Sequence, residues 1–312
     1  MSFHQVIYTL QILLKIIISL SLPDPTLNKC IYVSQFKIEE LELISCEKIL
    51  KNGGTFPLLI EAFNEIGESD YYVMKAFKKK SVDENYSVFK EIFLSELAPD
   101  FNLAAPEYGV TLINNNDLIE IHDEAQKVVN SVDYVNQLDT GYKFCSYYLS
   151  GMTTMNPELI TKGKLSQYDI ENIYAFDQVF FNSDRGGMRD KPNLMIDDDN
   201  IIIIDHEQSL PFINSFEQNK NVNYFNYFKG FNSPKHIFYN QVKKLAKEND
   251  GKLFDEFIDN LRTINIKKFN DLFNELDRFG IAYGNKDDIF AYLYWAKENF
   301  SKVQNLLLEK LK

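Results

Sequence analysis

Asp184, Asn193 and Asp205 are the residues whose order and spacing could carry chemistry. Asp184-Arg185 follows a long apolar run and opens a loop that contains Gly186 and Gly187. Asn193 closes that loop, and the four isoleucines Ile201 to Ile204 lead directly into Asp205. Phosphoryl transfer asks for little covalent help. It needs a carboxylate that positions the acceptor hydroxyl and oxygen ligands for a divalent cation that neutralises phosphate charge. Mg²⁺ takes one or two carboxylates together with substrate phosphates rather than an all-protein cage. Each residue also has an ordinary structural reading: a loop ion pair for Asp184-Arg185, a turn residue after Pro192 for Asn193, a cap after a buried strand for Asp205. Their order, and the short hairpin between Asn193 and Asp205, favour the chemical reading.

A second set lies upstream. Lys75 sits in YYVMKAF, with Met74, Ala76 and Phe77 beside it. An ammonium in such a strand must snorkel to water or find a carboxylate. Glu91, at the start of the apolar part of the next helix, is the expected partner, and Glu96 is the runner-up. Gly53-Gly54-Thr55, between the first two expected strands, could turn its backbone N–H groups toward phosphates, although a tight hairpin would use the same glycines. It is neither GxGxxG nor GxxxxGK[ST].

These residues need elements to hold them. Leu41 to Ile49, Phe56 to Phe63 and Tyr71 to Phe77 read as strands from their β-branched and aromatic content. Glu84 to Leu97 has Val88, Ile92, Phe93 and Leu97 at the spacing of one helical face. Tyr108 to Ile113 and Leu118 to Ile121, separated by Asn114-Asn115-Asn116-Asp117, read as a hairpin. Asp169 to Phe181 reads as a long helix, Leu194 to Ile196 and Ile201 to Ile204 as a short strand pair. After Pro234 come three or four amphipathic helices, with Trp295 in the last. The expected organisation is an α+β fold: an apolar extension over 1–30, a β-rich lobe over 31–125 with one inserted helix, and a mainly helical lobe over 126–312.

The bulk numbers bound the rest. The chain has 312 residues, a net charge of -12 and 45% hydrophobic residues. An acidic chain repels phosphate backbones, which argues against general nucleic-acid binding. Three cysteines without CxxC spacing fit a reducing, cytoplasmic compartment, and the four scattered histidines build no HExxH or HxH metal site. Val6 to Leu22 is apolar and about long enough to span a bilayer. Lys15 within it would cost roughly 2.5–3.5 kcal/mol at a membrane centre, so a helix packed on the domain is favoured over a membrane contact.

In sequence order, NGGTFPLLIEA, YYVMKAF, KEIFLSELAPDFNLAAPE, FCSYYLSG, FDQVFFNSDR, PNLM and IIIIDHE resemble the blocks of the HipA-like kinase family, in particular its shorter kinase domains. The resemblance covers about residues 35 to 215. It implies a bilobal protein-kinase-like fold and an ATP- and Mg²⁺-dependent phosphotransferase, with a protein Ser/Thr as the expected acceptor. It implies that Gly53, Gly54, Thr55 and Lys75 contact the nucleotide, that Glu91 rather than Glu96 orients Lys75, and that Asp184-Arg185 forms the catalytic pair. Asp205 is then a Mg²⁺ ligand and Asn193 a second. A protein substrate and an antitoxin-like or regulatory partner follow from the same resemblance. The loop from Gly187 to Lys191 is longer than the family pattern, and Lys191 stands where an Asn is expected before the proline, so Asn193 or Asp190 must supply the amide or carboxylate oxygen. That departure keeps two alternatives open: a pseudokinase or nucleotide-binding interaction module, and a lipid or small-molecule kinase.

Overall fold

Alternating burial along the first strands sets the architecture. In the computed structural model, residues 36–50, 57–127, 138–161, 165, 167–186, 192–218, 220–231, 233–249 and 251–312 are described. β1 (Glu39–Ile49), β2 (Leu58–Phe63) and β3 (Ser69–Met74) form an antiparallel meander. Leu41, Cys46, Leu58, Ile60, Ala62, Tyr72 and Met74 point inward, on the period of two that a strand imposes. Two register shifts in β1, between Leu43 and Ser45 and between Cys46 and Lys48, add the local bend that closure requires.

β3 ends before Lys75, so the lysine stands one residue beyond the strand rather than inside it. α1 (Lys79–Asn85) and α2 (Ser87–Leu97) follow. They are two helices where the sequence predicts one from Glu84. Tyr86 takes a left-handed φ of 54° and its N–H caps α1 at the Ser81 carbonyl, which turns the chain. Every residue of α2 but Glu96 is buried, so the apolar face seen in the sequence is only part of what it packs.

β4 (Tyr108–Ile113) and β5 (Gly141–Tyr147) complete a closed barrel in the order β1-β2-β3-β5-β4, with β1 and β4 parallel. The strand-rich part of the chain thus runs to Tyr147. Between them lies α3 (Asn115–Gln126), where the sequence predicts a second hairpin strand. The run Asn114 to Asp117 is a capping box: the Asn114 side chain accepts the N–H groups of Asn116 and Asp117, and Asp117 accepts the Asn114 N–H. The turn-forming residues start a helix instead of reversing a strand. Ile121 and Ala125 of α3 then join the barrel core.

The second half is mainly helical. β6 (Thr153–Thr154), α4 (Pro157–Thr161) and α5 (Ile170–Val179) precede the hairpin of β7 (Leu194–Ile196) and β8 (Ile201–Ile203), and β6 pairs with β7. Then come α6 (Tyr224–Gly230), α7 (Tyr239–Glu248), α8 (Asp255–Thr263), α9 (Phe269–Phe279), α10 (Lys286–Glu298) and α11 (Phe300–Glu309). Five of these follow Pro234, more than predicted. Trp295 lies in α10, not in the last helix, because Asn299 ends α10 by bonding the Trp295 carbonyl through both its backbone N–H and its side chain.

Two apolar clusters result. One fills the barrel; the larger joins α2, α5 and the C-terminal helices through rings such as Phe89, Phe101, Phe176, Phe180 and Phe273. The fold is α+β, and Phe36 to Lys312 makes one compact unit. Among the described residues no helix is long and apolar enough to cross a membrane. The apolar segment Val6 to Leu22 and the turn Gly53-Gly54-Thr55 lie outside the described residues.

Candidate active site

Lys75 is fixed by its backbone before its side chain. Its N–H donates to the Phe144 carbonyl of β5 at 2.9 Å, which holds the residue against the barrel edge just past β3. The buried ammonium lies 3.1 Å from Asp205 Oδ1 and 3.9 Å from Glu91 Oε1. Burial works against the charged amine, but Asp205 and Glu91 outweigh it and raise its pKa. The two carboxylates share one cation. Burial tends to raise Asp205, yet the close Lys75 holds it below the usual range. Burial pushes Glu91 up to about 8 despite Lys75, and the charge of Asp205 adds to the rise. Glu91 also accepts the backbone N–H of His206 at 3.1 Å, so α2 is bound to the residue after Asp205. Glu96 is elsewhere, taking the Tyr108 hydroxyl at 2.8 Å.

Asp184 is presented by the turn that leaves α5. Phe181 adopts φ 56°, the Asn182 N–H returns to the Asp177 carbonyl at 2.8 Å, and the Asn182 side chain accepts the Asp184 N–H at 3.1 Å. Asn193, at φ 50°, spans the loop: its Nδ2 donates to the Asp184 carbonyl at 3.0 Å and to Asp184 Oδ2 at 3.2 Å. Asn is among the side chains that tolerate this backbone region best. The Ile204 N–H donates to the Asn193 carbonyl at 3.1 Å, extending the β7–β8 ladder by one pair. Asp205 follows at φ 65°, turned out of the hairpin, and Asn182 Nδ2 reaches its carbonyl at 3.5 Å. The structure thus links Asp184 to Asn193 directly, and Lys75 to Glu91 and Asp205.

Arg185 faces the other way. Its guanidinium is wholly buried and makes a bidentate pair with Asp177 of α5, Nε to Oδ2 at 2.8 Å and Nη2 to Oδ1 at 3.2 Å. Nη1 donates to the carbonyls of Asn193 and Ile204, the latter at 2.9 Å. His236 Nε2 lies 2.9 Å from Asp177 Oδ2, and His236 Nδ1 accepts the Phe238 N–H at 3.1 Å. Nδ1 is therefore the unprotonated nitrogen, and Nε2–H donates to Asp177. Burial would raise Asp177, but Arg185 and His236 bring it down to about 2.

Sequence reading missed Asp177 and His236. The available signal was an acid inside YAFDQVFF: a carboxylate among apolar helix residues requires a cationic partner. Gly186 belongs to the same frame. It has φ 95°, and a Cβ there would lie 2.5 Å from the Ile237 Cβ, while the Ile237 N–H is bonded to the Arg185 carbonyl at 3.0 Å. Asp190 and Lys191 lie outside the described residues.

A divalent cation fits the donors at hand. Among the described residues no three His, Cys, Asp or Glu side chains converge as a protein-only metal cage. Asp205 offers a carboxylate whose buried Oδ1 has no hydrogen-bond donor in good geometry and is approached by the Lys75 ammonium. With its nitrogen committed to Asp184, Asn193 has its amide oxygen as the remaining acceptor. A carboxylate and an amide oxygen suit Mg²⁺ whose other ligands are phosphate and water.

The geometry brings a basic residue, three acids and a loop amide into two linked sets, Lys75 with Glu91 and Asp205, and Asp184 with Asn193. The family profile described as HipA-like kinase matches residues 52–266, more than half of the chain, and the chain belongs to that family. No curated protein matches the chain.

Proposed function

We propose that the chain is an ATP- and Mg²⁺-dependent protein kinase acting on serine or threonine, with a bilobal kinase-like fold. The barrel with α2 forms one lobe, β5 included, and the helical part forms the other. The observation that carries this reading is the meeting of Lys75, Glu91 and Asp205. They come from the end of a barrel strand, a buried helix and the end of the β8 hairpin, and nothing in local structure requires them to converge.

Lys75 supplies a fixed ammonium for the nucleotide's phosphates, and Glu91 keeps it oriented. Asp184, held by Asn193, takes the acceptor hydroxyl's hydrogen bond and directs its oxygen. Asp205 and Asn193 would hold Mg²⁺, which when bound offsets the phosphate charge. Arg185 touches no reacting atom; it positions Asn193 and the hairpin. Gly53, Gly54 and Thr55 complete the nucleotide site in this reading.

Incubating the purified protein with Mg²⁺ and γ-labelled ATP tests it. Labelled phosphoserine or phosphothreonine is expected on the protein itself or on an added protein acceptor. Asp205→Asn should lower transfer by at least about a hundredfold, the scale for losing a charge-neutralising ligand. An Asp205→Asn variant as active as wild type would sink the metal assignment. Nucleotide binding without transfer to any acceptor would favour a pseudokinase, for which the close Lys75–Asp205 contact is the supporting observation: it holds the ammonium on the acid meant for the cation.

A further inference from the structure

Lys90 is the residue before Glu91 on α2, and the phosphotransfer chemistry does not use it. Only 1% of it is exposed. Its Nζ donates to Asn214 Oδ1 at 2.6 Å, and that neutral amide is its one hydrogen-bond partner among the described residues. Burial pushes the amine down to about 7, with Glu207 the one charge opposing it. A methionine or leucine would fill the space at less cost, since a buried cation facing an amide is not a stabilising device. What the lysine adds is a direction.

Asn214 belongs to the segment His206 to Gln218, which follows Asp205. That segment is tied to α1, α2 and the Tyr86 between them at four points. The His206 N–H meets Glu91 at 3.1 Å, Asn214 meets Lys90, the Ser215 N–H meets the Glu84 carbonyl at 2.8 Å, and Gln218 Nε2 meets the Tyr86 hydroxyl at 2.9 Å. Asn214 is itself braced, its N–H on the Pro211 carbonyl and its carbonyl taking the N–H groups of Glu217 and Gln218. Behind this contact, a Cβ on Gly284 would lie 2.3 Å from Gln218 Nε2 and 2.8 Å from the Tyr86 ring, so the strap has no slack on that side. Three of the four ties fall at or before Lys90. Glu91 is the neighbouring residue, about 100° further round the helix.

We propose that Lys90 and Asn214 form a clamp through which the segment after Asp205 sets the rotation of α2, and so the reach of Glu91 to Lys75. Lys90 is a positioning residue. Its value to catalysis rests on the phosphotransfer reading above; the clamp itself is a mechanical property that can be measured without turnover.

The test compares wild type with Lys90→Met, Asn214→Leu, the double variant and Asn214→Asp, by amide hydrogen exchange across α2 and across His206 to Gln218, and by ATP turnover. Lys90→Met and Asn214→Leu should each speed exchange in both segments by about tenfold, the scale of one lost buried hydrogen bond. The double variant should be no faster than the worse single, and Asn214→Asp, which keeps an acceptor, should exchange as wild type does. In turnover the single variants should lower kcat while the KM for ATP changes little, and Asn214→Asp should restore kcat. Unchanged exchange in both single variants, or single effects that multiply in the double, would overturn the clamp. If wild type transfers no phosphate, the kinase reading fails and the exchange comparison still decides for or against the clamp.

Discussion

Replacing Asp177 by asparagine should cost the fold more than any surface change, and the cost can be worked out from the contacts. Asp177→Asn keeps the shape and one acceptor oxygen but removes the charge that balances the buried Arg185 guanidinium. Stranding one member of a buried ion pair costs about 3–5 kcal/mol. Linkage provides a second route. Asp177 is held at about 2 in the fold against 3.8 when free. That difference amounts to roughly 2–3 kcal/mol of stability at neutral pH. The two figures agree in scale, and either is a large fraction of the ~5–15 kcal/mol that holds a domain folded. For a chain of this size, a loss of that order lowers Tm by roughly 3–8 °C. Thermal unfolding followed by circular dichroism, with urea titration at 25 °C, reads it. Arg185→Met should be comparably costly, because Asp177 loses its cation and the Ile204 carbonyl its donor, and the double variant should fall short of the sum. A loss below about 1 kcal/mol in Asp177→Asn would refute the account of this network as the frame of the site.

Two further outcomes follow from the same frame. Gly186→Ala should destabilise the protein by about 2 kcal/mol or more, since φ 95° disfavours a side chain and the Cβ would press on Ile237, whose backbone is bonded to Arg185; a Tm within 1 °C of wild type would contradict this. Acid should also weaken the fold in two stages. His236 is kept neutral by burial, against the pull of Asp177, so its folded pKa lies below the unfolded value. Its contribution is complete above about 6.5 and is lost as pH falls below that. Asp177 behaves likewise between 3.8 and about 2. His236→Gln should flatten the fall in urea-derived stability as pH drops below 6.5, and an unchanged slope would remove His236 from the explanation.

The contact of Lys75 with Glu91 was legible in the sequence because its chemistry leaves few choices. A lysine beside a buried strand end needs an acid, and Glu91 lies on the next buried helix. The β7–β8 hairpin announces itself by isoleucines around Asp197 to Asn200. What was not legible is long-range or ambiguous in composition. The Asn114 to Asp117 run has the residues of a turn and of a helix cap alike, and only the contact of Ile121 and Ala125 with the barrel decides between them. The break at Tyr86 depends on a left-handed backbone that the residue type does not advertise. The tie from Asp177 to His236 spans 59 residues of chain, beyond any local pattern.

Arg185 shows how adjacent residues can divide a task. The sequence pairs it with Asp184 as one catalytic unit, and in the structure the two side chains serve different sides of the loop. Asp184 is met by the Asn193 amide. Arg185 turns inward and gives two bonds to Asp177 and two to backbone carbonyls, one on each side of the β7–β8 hairpin. Four directed bonds in a plane need a guanidinium; a lysine has three donors on one point and cannot span them. The same side chain therefore fixes α5, from which Asp184 emerges, and the hairpin, from which Asp205 emerges. Arg185 thus ties together the two segments that carry Asp184 and Asp205, so a buried arginine beside an aspartate carries positional information.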